Sequence, residues 1–194
     1  AHPTKARNSA WDGTTIRLFG AGNEVLAFQV MVEADAKGIS SLSASLPALR
    51  RREGGERIAY APPGADPAET VGRPIQLFAV HYMNVTEPTN ADWAWKPGGP
   101  AAPKDMTGWK PVQLVPENAR AGRGGFPVKV APRQNQAIWI EVYTGRGHAP
   151  GVYEGAVTVK ADGQSRRVPV ELELMGFALP DENSMDAMVY YEPS

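Results

Sequence analysis

Apolar and polar positions alternate with a period of two through most of this chain, and Gly, Pro, Asn or Asp interrupts the alternation repeatedly. Residues 15–20 (TIRLFG) predict a strand, 21–23 (AGN) a turn, and 24–32 (EVLAFQVMV) a second strand apolar enough for a sandwich interior. Residues 39–46 (ISSLSASL) predict a weaker third strand, 75–85 (IQLFAVHYMNV) a long aromatic-rich one after Pro74, and 126–130 a short one. In residues 137–143, Ile138, Ile140 and Val142 share one face. Residues 153–161 carry Val157 and Val159 inward, and Asp162-Gly163 then forms a two-residue hairpin turn. Val168, Val170, Leu172 and Leu174 alternate with Arg167, Pro169, Glu171 and Glu173, and Pro169 predicts an edge position. No window longer than a turn combines helical periodicity with a cap. The expectation is an all-β fold, an antiparallel two-sheet β-sandwich of immunoglobulin or jelly-roll type. Its core should hold Phe28, Val30, Ile138, Ile140, Val157, Val170 and Leu172.

Two segments fall outside the pattern. Residues 86–116 read as one long polar loop rich in Pro and Gly, with Trp93, Trp95 and Trp109. A connection that long is usually functional or mobile. After Leu179-Pro180-Asp181, residues 185–192 (MDAMVYYE) form an apolar, strand-like piece with no following partner.

The 194 residues suffice for one sandwich with a sizeable core, and the 20 Gly and 18 Pro recur as punctuation without a fixed period. A net charge of −1 with no basic stripe excludes the usual electrostatic footprint of a nucleic-acid binder. Arg50-Arg51-Arg52, beside Glu53 and Glu56, and Arg166-Arg167 read as solvated turn charges. The absence of cysteine excludes disulfides, thiol nucleophiles and Cys-ligated zinc. No apolar run is long enough for a membrane-spanning helix, and no signal peptide is visible. Ala1-His2-Pro3 fits a cleaved mature terminus as well as an internal boundary.

The candidate chemistry is sparse. His2, His81 and His148 lack metal-ligand spacing, so no metal site and no cofactor are expected. His81, beside Tyr82 in a strand, reads as a satisfied core or edge histidine. No nucleophile elbow, phosphate loop or dinucleotide fingerprint occurs, and Gly122-Arg123-Gly124-Gly125 reads as a turn. Asp181-Glu182 is an adjacent acid pair, but neighbours in an extended segment point apart, and a general acid needs a desolvating pocket. No residue is therefore assigned as catalytic. The tryptophans carry the positive signal: Trp93, Trp95 and Trp109 either stack on sugar rings or cap the open end of the sandwich. Asn84-Val85-Thr86 is an N-glycosylation sequon at a strand end.

Residues 18–29 (LFGAGNEVLAFQ) resemble the opening of the β-sandwich that precedes the catalytic barrel in bacterial glycoside hydrolase family 123 and its relatives containing a domain of unknown function of the 4091 type. Residues 80–86 (VHYMNVT), 135–143 (NQAIWIEVY), 150–155 (PGVYEG) and 177–181 (FALPD) resemble further blocks in the same order, so the likeness runs over about residues 14–191. The chain departs from the pattern at Val112, where relatives carry an acid before Leu-Val-Pro. The resemblance implies a catalytic Asp-Glu pair inside a barrel acting on N-acetylhexosaminides with help from the substrate's acetamido group. It places Asp181-Glu182 in the linker instead, so no catalytic residue carries over.

It also implies residues 1–179 as the sandwich, and 180–194 as a linker followed by the first strand of a (β/α) barrel or by a partner-binding tail. On this reading the chain is a bacterial protein that is secreted, periplasmic or at the cell surface. It is a non-catalytic accessory domain of a carbohydrate-active protein, with its own C-terminal barrel or a neighbouring subunit as partner and weak contacts to carbohydrate. The rival expectation is an assembly module of a surface or filament protein whose C-terminal strand pairs with a neighbour.

Overall fold

The computed structural model describes residues 7–64, 73–87, 95–96, 98–102, 104–120, 122–182, 184–185 and 188. The strands are β1 (Ile16–Gly22), β2 (Glu24–Glu33), β3 (Ile39–Ser45), β4 (Ala48–Arg51), β5 (Arg57–Ala59), β6 (Ile75–Val85), β7 (Gly108–Pro116), β8 (Val128–Val130), β9 (Asn135–Thr144), β10 (Gly151–Ala161) and β11 (Gln164–Ala178). Seven of them form one sheet in the order β1-β11-β10-β3-β8, with β4 also on β10 and β5 on β4; the other sheet runs β2-β9-β6-β7. The two sheets face each other as an all-β sandwich. Every named pair is antiparallel except β1 with β11, which run parallel and bring the first and last strands together.

The alternation predicts the interior correctly. Phe28, Ile138, Ile140, Val157, Val170 and Leu172 lie in the buried core, and Val30 packs against it partly buried. The Asp162-Gly163 turn closes β10 onto β11 with both residues at positive φ, 46° and 83°, as a two-residue hairpin requires.

Four expectations are corrected. First, β2 is an edge strand rather than an interior one. Its even-numbered residues face the core, while Val25 and Met31 stand on the outer face and are exposed. Second, β11 lies between β1 and β10 and is no edge strand. Pro169 nonetheless pairs with Ala156 one residue before β1 joins at Ile16↔Val170, so it sits where β11 has a neighbour on one side only. Third, the segment 86–116 is not all loop, because its last nine residues are β7, paired along β6. Pro111 and Pro116 mask this strand in the sequence, and an edge position tolerates them. Fourth, Arg50 and Arg51 are strand residues of a β4–β5 hairpin rather than turn charges. Leu49 and Ile58 of that hairpin are fully buried, and Arg52 beyond it forms ion pairs with Glu154 (2.5 Å) and Glu171 (3.1 Å).

Candidate functional site

A concavity arises where the four-stranded sheet splits. β6 pairs with β9 only from Ile75↔Val142 to Ala79↔Ile138. Beyond that point β6 continues with β7 as far as Val85↔Gly108, while β9 residues Asn135–Ala137 stay with β2. Polar groups at such a fork lack ladder partners and must be satisfied otherwise. Gln136 does part of this, its Nε2 donating to the carbonyls of Val80 (2.8 Å) and Ala137 (2.9 Å). Tyr82 does the rest, its hydroxyl accepting the backbone N–H of Ala137 at 3.3 Å. Half-burial at the fork raises the Tyr82 phenol above its ordinary pKa.

The fork opens into a groove of about 710 Å³, within the usual size range of ligand sites. His81 shares the face of Ile75 and Leu77 on β6, so its imidazole stands where the core between the sheets reaches water. It is exposed and has no hydrogen-bond partner among the described residues, contrary to the expectation of a satisfied histidine. Trp109, on β7 opposite Asn84, lines the groove with 57% of its surface exposed. The far wall is the passage from β8 to β9, with Lys129, Arg133 and Asn135. Arg133 holds φ at 58°, and its N–H donates to the Asp35 carbonyl at 2.8 Å, which anchors that passage. The remaining wall is the turn at 122–125. It is seated by Gly125, where a Cβ would lie 2.2 Å from the Ala119 carbonyl oxygen, so no other residue fits.

Of the tryptophans named from the sequence, Trp109 lines this groove. Trp95 is half-buried and does not line it, and Trp93 lies outside the described residues. The sequence reading missed His81, Tyr82, Lys129 and Arg133 as a group. The available signal was polar and aromatic residues at ends of otherwise apolar strands. Val112, the departure from the family pattern, is the extra residue of a β7 bulge between His81↔Gln113 and Tyr82↔Pro111, and it is exposed.

Asp181 belongs to a different cluster. Asn23 holds a left-handed φ of 59°, and its Nδ2 donates to the Leu179 carbonyl (3.1 Å) and to Asp181 Oδ1 (2.9 Å), while its Oδ1 accepts from the Tyr143 hydroxyl (3.0 Å). Arg146 lies 2.9 Å from the other Asp181 oxygen and is the main cause of a carboxyl held below its ordinary pKa. Hydrogen bonds from Thr15, Thr14 and Arg17 likewise lower Asp12, and those from Ser40 and Ser41 lower Asp162. Glu182 is exposed. Among the described residues no group of three His, Asp or Glu is placed to hold a metal.

No protein-family model matches the chain, nor does any curated protein. Among solved structures it is similar to a family 123 glycoside hydrolase from Clostridium perfringens, studied for glycolipid glycan hydrolysis. The TM-score is 0.58 at 15% identity, over 86% of this chain and 24% of that one. At this identity the likeness concerns the fold, and the chain spans about a quarter of that enzyme's length. The CooA pilin subunit of enterotoxigenic Escherichia coli matches over 90% of this chain and 97% of its own at 12% identity, with a TM-score of 0.36 too low to carry an inference.

Proposed function

We propose that this domain is a non-catalytic accessory β-sandwich of an extracellular, glycoside-hydrolase-like protein, and that it contacts saccharide at the sheet fork. The observation that carries this reading is Trp109, a large exposed ring at a groove of mixed polar and apolar lining whose described residues include no Asp or Glu. A flat indole face offers stacking area to the C–H face of a sugar, while hydrolysis by the usual route requires two carboxyl groups across the scissile bond. The carboxylates whose pKa departs from the ordinary value, Asp12, Asp162 and Asp181, depart downward, which suits fixed acceptors rather than proton donors. The similarity in fold to a family 123 enzyme supports an accessory place in a larger protein.

The test is tryptophan fluorescence during titration with N-acetylhexosamine oligomers. A saturable change should vanish in Trp109→Ala while thermal stability stays nearly unchanged. A large loss of stability in that variant would identify the ring as structural and remove the reading.

A second reading rests on a different observation. Phe19 and Phe177 stand on the outer face of the seven-stranded sheet, 71% and 63% exposed, and Leu179, Met185 and Met188 beyond them are exposed too. Apolar side chains of this size in water favour burial against another protein surface, as in an assembly module. Sedimentation distinguishes the two readings. An oligomer dissolved by Phe19→Ser with Phe177→Ser, or by deletion of residues 183–194, supports assembly, and a monomer in all forms removes it.

A further inference from the structure

Building on the saccharide reading of the fork groove, we propose that its ligand is an acidic saccharide, recognised by Lys129 and Arg133 through a carboxylate or sulfate while Trp109 stacks on a neighbouring ring.

The composition of the groove lining, with cations and an exposed indole together, motivates this assignment. Lys129 and Arg133 are exposed on one groove wall and have no carboxylate partner among the described residues. In a chain with 20 basic and 21 acidic residues, a described lining that holds Lys129 and Arg133 but no Asp or Glu is a local charge imbalance. A concave wall focuses such a field, which attracts an anion.

The backbone beneath the cations is fixed. Arg133 keeps a left-handed φ that costs energy for a non-glycine residue, and the Arg133 N–H to Asp35 carbonyl and Ala34 N–H to Gln134 carbonyl bonds hold it there. Of the acids beside this turn, Asp35 has its Oδ1 engaged by the Lys37 N–H at 2.8 Å, and Glu33, across the ladder from Asn135, does not line the groove. A guanidinium offers paired N–H donors to a carboxylate or sulfate, and an ammonium adds a mobile point charge. Asn135, also on this wall, can bond sugar hydroxyls in either direction. A bare anion would leave Trp109 unused, and a polynucleotide would need a basic stripe that a net charge of −1 does not supply.

The experiment compares three hexasaccharides of one backbone by calorimetry at low ionic strength: unsulfated chondroitin, chondroitin sulfate, and carboxyl-reduced chondroitin as the neutral form. At least one acidic form should bind about tenfold more tightly than the neutral one, a preference that shrinks as salt is raised. The unsulfated arm tests a carboxylate and the sulfated arm a sulfate. Lys129→Gln with Arg133→Gln should reduce the acidic ligand to the neutral level without changing the melting temperature, and Trp109→Ala should weaken all three. Equal binding of acidic and neutral forms would overturn the charge assignment and leave the saccharide reading standing. No binding of any form would remove both. Acidic binding that survives Trp109→Ala, or tighter binding of a single-stranded oligonucleotide, would show a nonspecific cationic surface and also overturn the proposal.

Discussion

The Tyr82 hydroxyl reaches across the split between β6 and β9 and accepts the Ala137 backbone N–H at 3.3 Å. Ala137 is 1% exposed, so without this bond the amide would be buried and unpaired. Tyr82→Phe should therefore cost about 1–2 kcal/mol, measured by urea denaturation, because an orphaned buried donor loses its full compensation for desolvation. It should also weaken groove ligands, since the same contact sets the width of the fork. A variant as stable as the parent would show that the fork is held by the Gln136 bonds instead.

Arg73 and Glu117 form an ion pair at 2.8 Å with both side chains largely buried, 13% and 14% exposed. Arg73 also donates to the Ala61 carbonyl and lies 5.6 Å from the Tyr60 ring centre, and the Tyr60 hydroxyl donates to Glu117 at 3.0 Å. Removing one partner strands a buried charge, so Arg73→Leu should destabilise on the order of 3 kcal/mol. Arg73→Leu with Glu117→Leu should cost less than either single change, since no charge is then left unpaired. Chemical denaturation of the three variants checks this ordering.

Tyr153 is fully buried, donates to Glu56 and to the Ala149 carbonyl, and has its phenol pushed up to about 12, chiefly by desolvation. The unfolded phenol ionises near 10, so between pH 10 and 12 the unfolded state releases a proton that the folded state keeps. Stability from this group is complete below pH 10 and falls as pH rises through that window. Tyr60 and Tyr82 are shifted in the same direction and add to the effect. Urea midpoints at pH 9 and pH 11 should differ more for the parent than for Tyr153→Phe.

The Asn23 cluster fixes how the chain leaves the sandwich. Asn23→Gly keeps the left-handed backbone accessible but removes the side-chain bonds to Leu179, Asp181 and Tyr143. It should make the chain near residues 179–182 more sensitive to limited proteolysis with little change in global stability. Asn23→Ala should lose stability as well, because it adds backbone strain at a φ of 59°. Asp181 is held below its ordinary value, so its contribution is present above the ordinary carboxylate range and is lost as pH falls through the folded pKa. In Arg146→Ala, the Asp181 titration followed by NMR should move up toward the ordinary value.

The isolated chain should release no chromophore from aryl N-acetylgalactosaminides or N-acetylglucosaminides. Asp181 is committed to Arg146 and Asn23 and kept ionised, unfit to donate a proton. Turnover abolished by Asp181→Asn or Glu182→Gln would reverse this expectation.

The sequence by itself determined the strands and their inward faces, because side chains along a strand point alternately to its two sides whatever the partner strand is. Ile138, Ile140, Val157, Val170 and Leu172 could therefore be assigned to the core from alternation alone. It did not determine where each strand sits in its sheet. β2 looked interior because two apolar residues of its outer face are tolerated at an edge, and β7 was hidden by prolines that the same kind of position tolerates. The groove was further from reach. It exists because β6 and β9 pair as far as Ala79↔Ile138 and then part, and Tyr82 meets Ala137 across 55 residues of chain. Local pattern says which side of a strand is wet, but only the pairing of distant strands decides where two of them separate and which side chains stand around the gap.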